Sequence, residues 1–538
     1  MAEFRPIANP VEAMRQRLLD VLQRTQHFQA TGFDDQEERE RLEATQAYFG
    51  ESERHFVDFA AEMAKNSASQ NEDIRRIQQE CWELYNESAP PNYRYKQDWQ
   101  SKVIVPKPYG AVQFAMAAVQ EAFSPNFLTV QDARHPALAE FWRKLLDVQL
   151  DRQHGKFVTH FTVSAGMGFA VGQSFEMIPV WRPGRGLDFS LVEPWKVHRD
   201  PDALPMKPQS GMYFIHEEFQ DVWALQEQER QGRYQHTADL GAAHEDQNPQ
   251  NQEMDRQRTA ELRQQTWVRN PYRRAVLTRE YWGTVLDRKG ALLHPSLVYT
   301  TAGDRVIGAP APPPYPTLRW PGVSFSPLPN FLRYEGRSLL QSVRSLWHFM
   351  CNLQALHIDY LNWIVNPMVE ISQGMLVEQD DIDIFPGRLW LTKSTAHGQQ
   401  AVRTVDRRFA TNEVLANMMN ADHQFRDGTF ITTALQGLPG FRERITAREA
   451  AQNLQQSKTV FSVIGNNLDF GAVDVVQAAM ETIQLNITRD DLLGMFALSE
   501  LLEVFGESPL FPGQPAVFVP TPEEAAVLGT NGQVPTSP

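Results

Sequence analysis

The 538-residue chain is too long for a single hydrophobic core, so about two to four domains are expected. Its composition, with 42% hydrophobic and 22% charged residues, is typical of a folded protein and argues against disorder through most of the chain. The formal net charge of −15 disfavours a protein that holds nucleic acid by neutralising phosphates, although an acidic surface can let DNA pass without adhering.

The sequence shows no targeting or disulfide signal. It has neither a run of about eighteen apolar residues nor an apolar core after Met1, so we expect no membrane span and no secretion. Its two cysteines, Cys81 and Cys351, lie in separate helical patterns, which predicts reduced core thiols and neither a disulfide nor a metal site. The protein is therefore expected to be made in the cytosol.

Helical patterns dominate the first third of the chain. Residues 1–88 are rich in Glu, Gln and Arg, with breaks predicted at 31–34 and at 66–67. After a proline-containing break, the pattern predicts a short strand at 101–106 and helices at 110–123 and 136–164.

In the middle of the chain, strand, helix and turn patterns follow one another in short segments. Gly166, Gly168 and Gly172 are predicted to form a structural turn, because their last spacing is one residue too long for a dinucleotide loop. Hairpin strands are predicted at 174–198, around a turn at 183–186. A helix follows at 214–235 and runs into a Gln-rich surface insert at 226–266. Two further strands, at 275–282 and 292–300, are predicted around a turn at 287–290.

Residues 338–365 predict a long helical rod of roughly 40 Å. Ser338 and Gln341 have the spacing of a capping box, and the proline at 367 ends the pattern. Apolar side chains recur every three or four residues and predict one buried stripe: Leu339, Val343, Leu346, Met350, Leu353, Leu356, Tyr360 and Trp363. The opposite side is predicted to be polar and carries Arg344, His348, Asn352 and Asp359.

A helix-loop-helix pattern follows the rod. Helices are predicted at 411–436 and 446–465, separated by a loop that contains Arg442 and Arg444. Thr446 and Glu449 have the spacing of a capping box, so the second helix would project this loop. A plain turn between core helices is the simpler interpretation of the spacing alone.

The sequence lacks the common catalytic motifs. No phosphate-binding loop, paired-histidine zinc motif or nucleophile elbow occurs, so an enzyme is not predicted, and neither a catalytic residue, a metal site nor a cofactor is assigned. The aspartates at 380, 381 and 383 could bind a divalent cation, but a solvated acidic loop is the preferred interpretation.

Taken in order, several segments resemble the portal, or head-to-tail connector, proteins of tailed bacteriophages, in particular the short-tailed kind. One of them is Leu-Val-Glu-Pro-Trp-Lys-Val-His-Arg-Asp-Pro at 191–201. The others are 101–106, 122–123, 163–175, 214–225, 278–282, 314–320, 334–340, 366–367 and 445–451. No single segment is specific, and the combination carries the resemblance. The N-terminal arm and the Gln-rich insert match no part of the pattern.

The resemblance implies an α+β, portal-type ring subunit with a helical wing and crown, long stem helices and a small β-containing clip. It divides the chain into an N-terminal arm (1–40), wing (41–250 and 366–436), stem (251–271 and 331–365), clip (272–330), tunnel loop (437–445), crown (446–507) and a disordered tail (508–538). Such proteins form a closed ring, usually of about twelve subunits, at one capsid vertex.

The resemblance also assigns residues and partners. The channel residues would be Phe441, Arg442 and Arg444, the stem residues Ser338, Arg344, Trp347, His348 and Asp359, and the clip residues Tyr281, Trp282 and Trp320. The partners would be further copies of the chain, the capsid protein, the terminase, head-to-tail adaptor or tail proteins, and double-stranded DNA bound without sequence specificity. The protein would belong to the virion and pass through the host cytoplasm during assembly.

Two other functions remain open at this point. A tail or baseplate component would show more β-rich repeats and less central rod. A nucleic-acid enzyme would show a metal or nucleotide site, which the sequence does not contain.

Overall fold

The computed structural model describes residues 36–122, 136–151, 155–182, 185–204, 207–237, 240, 274–315, 320–365, 369–371, 402–404, 411–431 and 447–506. Helices and antiparallel sheets make the chain an α+β protein, as the sequence predicts. It divides into two compact units. The sheet unit comprises Met1–Gln79, Met116–Arg337 and Ile464–Pro538, and the helical unit comprises Glu80–Ala115 and Ser338–Val463.

The described α-helices are, in chain order, α1 (Gln36–Gln70), α2 (Glu72–Tyr85), α3 (Lys107–Ala122), α4 (Pro136–Leu150), α5 (Phe157–Val171), α6 (Val222–Arg230), α7 (Arg344–Val365), α8 (Thr411–Gly428), α9 (Ala447–Asn486), α10 (Arg489–Met495) and α11 (Leu498–Phe505). The helical break predicted at 66–67 is misplaced, because α1 continues through these residues and ends at Gln70, while the break predicted at 31–34 lies outside the described residues. Among these described helices, none is long and apolar enough to cross a membrane.

The described strands are β1 (Glu176–Arg182), β2 (Gly186–Val192), β3 (Val197–Arg199), β4 (Tyr213–Asp221), β5 (Ala275–Leu286), β6 (Leu292–Ala302), β7 (Arg305–Ala311), β8 (Val369–Ile371) and β9 (Val402–Thr404). Strands β3 to β7 form one antiparallel sheet in sequential order, while β1 pairs with β2 and β8 with β9. The predicted wing and clip segments thus both contribute strands to the five-stranded sheet, and their assignment to wing and clip stays a prediction.

Both faces of the five-stranded sheet are covered within the sheet unit. On one face, Tyr281 and Tyr299 pack with Ala60 and Ala64 of α1. On the other face, Trp282 packs with Trp320. Because successive side chains of a strand point to opposite faces, the neighbours Tyr281 and Trp282 belong to two different cores.

The two predicted hairpins are confirmed. Strands β1 and β2 pair in continuous register, and β5 returns through a tight turn into β6. In that turn the amide of Gly290 donates to the carbonyl of Asp287 at 2.8 Å, and Gly290 has a positive φ of 80°. A residue with a side chain is strained in this conformation, which explains the glycine.

The helix predicted at 214–235 is wrong over its first half. Residues 213–221 form β4, whose hydrogen bonds extend from Tyr213 opposite Gly283 to Asp221 opposite Ala275, and only α6 is helical. Aromatic and β-branched residues favour a pleated surface, and pairing with a distant strand outweighs the local helical pattern.

The turn predicted at the glycine-rich segment is also wrong, because Gly166 and Gly168 lie inside the buried helix α5. A Cβ atom at Gly168 would come within 2.7 Å of Cδ of Pro327, so the glycine permits close packing. Only Gly172, which ends the helix with φ of 95°, lies in a turn.

The helical unit is built around α7 and α8. The hydroxyl of Ser342 donates to the carbonyl of Gly428 at 3.0 Å, so the start of α7 lies beside the end of α8. Strand β8 follows α7, strand β9 precedes α8, and the two strands pair. The two helices are therefore antiparallel. Asp422 of α8 forms salt bridges with Lys107 at 2.6 Å and with Arg426 at 2.9 Å.

Candidate functional site: an assembly surface on the helical unit

The residues predicted to face DNA, Phe441, Arg442 and Arg444, lie outside the described residues, as does the predicted stem helix at 251–271. The aspartates at 380, 381 and 383 also lie outside them. Of the residues that the structure describes, no group of three His, Cys, Asp or Glu side chains could hold a metal ion.

The extended segment before α3 fastens the buried face of α7. The indole of Trp347 donates to the carbonyl of Val105 at 2.8 Å, and the amide of Ser101 donates to the Asp359 carboxylate at 2.7 Å. The Tyr93 hydroxyl donates to the carbonyl of Cys351 at 3.0 Å. Each bond satisfies a buried polar group and fixes the rotation of α7 in its unit.

Two sequence predictions for this region are wrong. Residues 101–106 form no strand, because side chains of the helical unit satisfy their backbone groups. Asp359 does not lie on a polar outer face but is buried against the Ser101 amide. Met350 is buried as predicted, whereas Leu356 of the predicted buried stripe is exposed.

The start of the rod also differs from the prediction. Helix α7 begins at Arg344, after a 3-10 turn at Gln341–Val343, so Ser338 does not cap it. Instead, the Ser338 hydroxyl accepts from the amide of Leu340 at 2.9 Å. This bond stabilises a tight turn, in the way that short polar side chains often do.

The remaining predicted stem residues lie on the first turns of α7. Arg344 forms a salt bridge with Glu80 of α2. Burial, together with the charge of Arg344, lowers the pKa of His348. Cys81 and Cys351 are buried free thiols, as predicted, and burial raises the pKa of Cys81 to about 11. A thiol with so high a pKa is a poor nucleophile at neutral pH.

The opposite face of α7 carries a second apolar stripe. It consists of Phe349, Leu353, Leu356, Tyr360 and Ile364. Leu356 and Ile364 each expose 56% of their surface, and the spacing of three or four residues places all five on one side. The stripe extends along roughly 22 Å of helix. We call it the outer stripe of α7. A rod that is apolar on both sides and buried on one has a surface suited to another molecule.

The predicted clip residues form the cores of the sheet unit. Tyr281, Trp282 and Trp320 are all buried. The rings of Trp282 and Trp320 meet edge to face at 5.4 Å, while Tyr281 lies on the other side of the sheet. Burial raises the pKa of the Tyr281 hydroxyl. These three side chains stabilise the sheet and are not available to a docking partner.

A buried ion pair in the sheet unit is absent from the predictions. Arg199, which ends β3, pairs with Glu176 at the start of β1, and its guanidinium also donates to the Ser324 hydroxyl at 2.6 Å. Glu176 in turn accepts from the indole of Trp320 at 3.0 Å. Arg199 lies 4.5 Å from the ring centre of Tyr334. The pair ties together three segments that are far apart in sequence.

A second polar cluster surrounds His198. Arg75 donates to Nδ1 of His198 at 3.0 Å, and Nε2 of the same ring lies 3.2 Å from the Glu217 carboxylate. Because Nδ1 accepts, the ring is neutral and Nε2 carries its proton. Burial lowers the pKa of His198. Burial would raise the pKa of Glu217, but the hydrogen bond from His198 and the charge of Arg279 outweigh it, and the pKa is about 2.

This cluster predicts acid sensitivity. The folded-state pKa of Glu217 lies below its ordinary value of 4.5, so its stabilisation is present above about pH 4.5 and lost as the pH falls towards 2. We expect the Glu217→Gln variant to lack about 2–3 kcal/mol of this pH-dependent stability. Urea unfolding of both proteins between pH 7 and pH 2.5 measures the difference. Parallel pH profiles would contradict the assignment.

Comparison with known proteins gives no assignment: no protein-family model matches the chain, and no curated protein matches it significantly.

Proposed function

We propose that the chain is a portal subunit that assembles into a closed ring at one capsid vertex, through which double-stranded DNA is packaged and ejected. The ordered set of portal-like segments between 101 and 451 motivates this function. The structural observation that supports it best is the two-sided rod, with a core on one face of α7 and the outer stripe on the other.

The outer stripe suits a ring because exposing apolar side chains to water is unfavourable, and packing against a neighbouring subunit buries them. Contacts between two different faces of the same chain form rings when the rotation closes. We assign α7 to the stem. Helix α8 packs along it and is assigned to the wing, and the remaining helices are assigned to wing and crown. The finer portal architecture is part of this proposal.

The acidic composition supports a passage for DNA. Each chain carries a formal charge of −15, so a ring concentrates negative charge around its axis. An acidic wall repels the phosphate backbone and lowers friction, while a few arginines give transient contacts. The capsid protein, the terminase and head-to-tail adaptor proteins are the partners that this role requires.

Measuring the mass of the purified full-length protein and imaging it by electron microscopy test whether it forms a ring. We expect a closed ring with a central hole for the unchanged protein, and a monomer for the Leu356→Glu variant. An unpaired charge in an apolar contact should raise the concentration needed for half-assembly by about 100-fold or more. Because Leu356 is exposed in the single chain, the variant should keep its fold.

The matched control is Asn362→Glu, which adds the same charge at an exposed position of the same helix but off the outer stripe. It should assemble like the unchanged protein. A purified chain that stays monomeric or dimeric over a broad concentration range would exclude the ring. If the Leu356 and Asn362 variants assemble equally well, the outer stripe does not lie in the interface between subunits.

Arg442 and Arg444 provide a separate prediction, which rests on the sequence alone. Changing both to alanine should leave the ring intact and weaken DNA retention or packaging, because phosphate contacts hold DNA without sequence specificity. Filled-capsid counts from a packaging assay measure the effect. Their control is an Arg76→Ala variant, since Arg76 is an exposed arginine of α2. Unchanged packaging by the double variant would argue against a channel position.

A further inference from the structure

A short loop of the sheet unit, residues 328–337, is closed at its base and anchored along its length. The amide of Arg337 donates to the carbonyl of Leu328 at 2.8 Å, which joins the two ends. The Tyr334 hydroxyl donates to the carbonyl of Ser324 at 2.7 Å, and its ring faces the guanidinium of Arg199. A loop held at both ends presents its tip with little entropy left to lose on binding.

The tip of this loop consists of two adjacent apolar side chains. Phe331 is 93% exposed and Leu332 is 87% exposed. The amide of Leu332 donates to the Asn330 side chain at 3.3 Å, which stabilises the turn at the tip. Among the described residues of the sheet unit, almost nothing covers Phe331 and Leu332, which leaves both side chains available to a partner. We call this pair the apolar tip.

Charge narrows the choice of partner. The exposed charged side chains beside the apolar tip are Arg333 and Arg337, with the half-buried Glu335 between them in sequence, and neither arginine forms a salt bridge with another described residue. The complementary surface is therefore apolar with acidic edges. Arginines that flank an exposed apolar pair are typical of interaction surfaces.

The part of helix α9 that belongs to the sheet unit, from Ile464 onwards, carries a surface with these properties. Phe470 and Val473 lie one turn apart on it and are 65% and 54% exposed. The exposed carboxylate of Asp469 lies at the edge of this apolar pair. We call Asp469, Phe470 and Val473 the acidic-edged patch.

We propose that the apolar tip of one subunit packs on the acidic-edged patch of a neighbouring copy, with Arg333 and Arg337 on the side of Asp469. This contact rests on the proposed ring and adds an interface in the sheet unit. It joins two different surfaces of the same chain, so each copy uses its tip on one neighbour and its patch on the other. Such a contact continues around a ring instead of ending at a dimer.

The first experiment compares assembly of the full-length chain with that of the Phe331→Ser/Leu332→Ser variant. Removing two central apolar anchors should raise the half-assembly concentration by about 30-fold. The matched control is Leu292→Ser/Leu293→Ser, which removes two exposed leucines from the start of β6 and should assemble normally. Equal assembly of the tip variant and the unchanged protein would overturn the contact.

The second experiment traps the contact directly. Leu332→Cys and Val473→Cys are combined in one chain, which is then oxidised with diamide and separated on a non-reducing gel. We expect a ladder of species larger than dimers, because each copy links to two neighbours. The single variants should not exceed dimers, since Cys81 and Cys351 are buried.

The outcomes separate this contact from the ring itself. If the unchanged protein forms rings but the double-cysteine protein gives no ladder, the tip does not meet the patch and the ring proposal stands. If the unchanged protein forms no ring at any concentration, both proposals fail. A ladder together with the 30-fold loss in the tip variant supports the contact.

Discussion

Replacing Arg199 with methionine should lower the free energy of unfolding of the sheet unit by about 3–5 kcal/mol, because the Glu176 carboxylate then stays buried without its partner. The expected loss is large because both residues are almost fully buried. The Ser324 hydroxyl would also lose the guanidinium that donates to it. Urea unfolding, combined with hydrogen exchange of the β3 and β4 amides, measures the change.

The matched variant removes both charges together. Arg199→Met/Glu176→Gln leaves no unpaired charge, and the glutamine carbonyl can still accept from the indole of Trp320. We expect the double variant to regain most of the stability that the single variant loses, because apolar replacement of a buried ion pair is often close to neutral. If the double variant is as unstable as Arg199→Met, the loss comes from packing and not from the uncompensated charge.

The parts of the fold that could be predicted are those set by neighbouring residues. The hairpin between β5 and β6 follows from an alternating pattern and a turn ending at Gly290, both readable within about twenty residues. Helices α3 and α8 follow from local periodicity in the same way.

The errors in the prediction arise where contacts with a segment distant in sequence determine the local structure. Residues 213–221 have an acceptable helical pattern, but β3 and β5 pair with them, and neither pairing is visible locally. Gly166 and Gly168 suggest a turn locally, but both lie in α5, where the missing Cβ atom at 168 makes room for Pro327, which is remote in sequence.

The candidate site was only partly predictable for a related reason. The rod and its end at Val365 are encoded locally, but α7 is apolar on two sides, so periodicity cannot say which side faces the core. The choice depends on the hydrogen bonds from Ser101 and to Val105, which are made by a segment far away in sequence. The Arg199–Glu176 pair likewise joins β3 to β1 and leaves no local pattern.

Replacing Trp347 with alanine is the second large perturbation, and we expect it to cost about 3–5 kcal/mol. Trp347 is among the largest fully buried side chains of the described residues, so the change opens a cavity in the helical unit. It also removes the indole donor from the carbonyl of Val105. Trp347→Phe keeps most of the volume and should lose about 1–2 kcal/mol for the missing hydrogen bond.

The sharpest comparison uses Phe349, two residues along the same helix and on the outer stripe. Phe349→Ala removes a ring that is 48% exposed, so the unfolding free energy of the single chain should fall by only about 1 kcal/mol. Assembly should weaken instead, because the outer stripe loses an aromatic anchor. Urea unfolding at low protein concentration and mass measurement at high concentration give the two quantities separately. Stability lost at Phe349 and kept at Trp347 would mean that the two faces of α7 have been assigned in reverse.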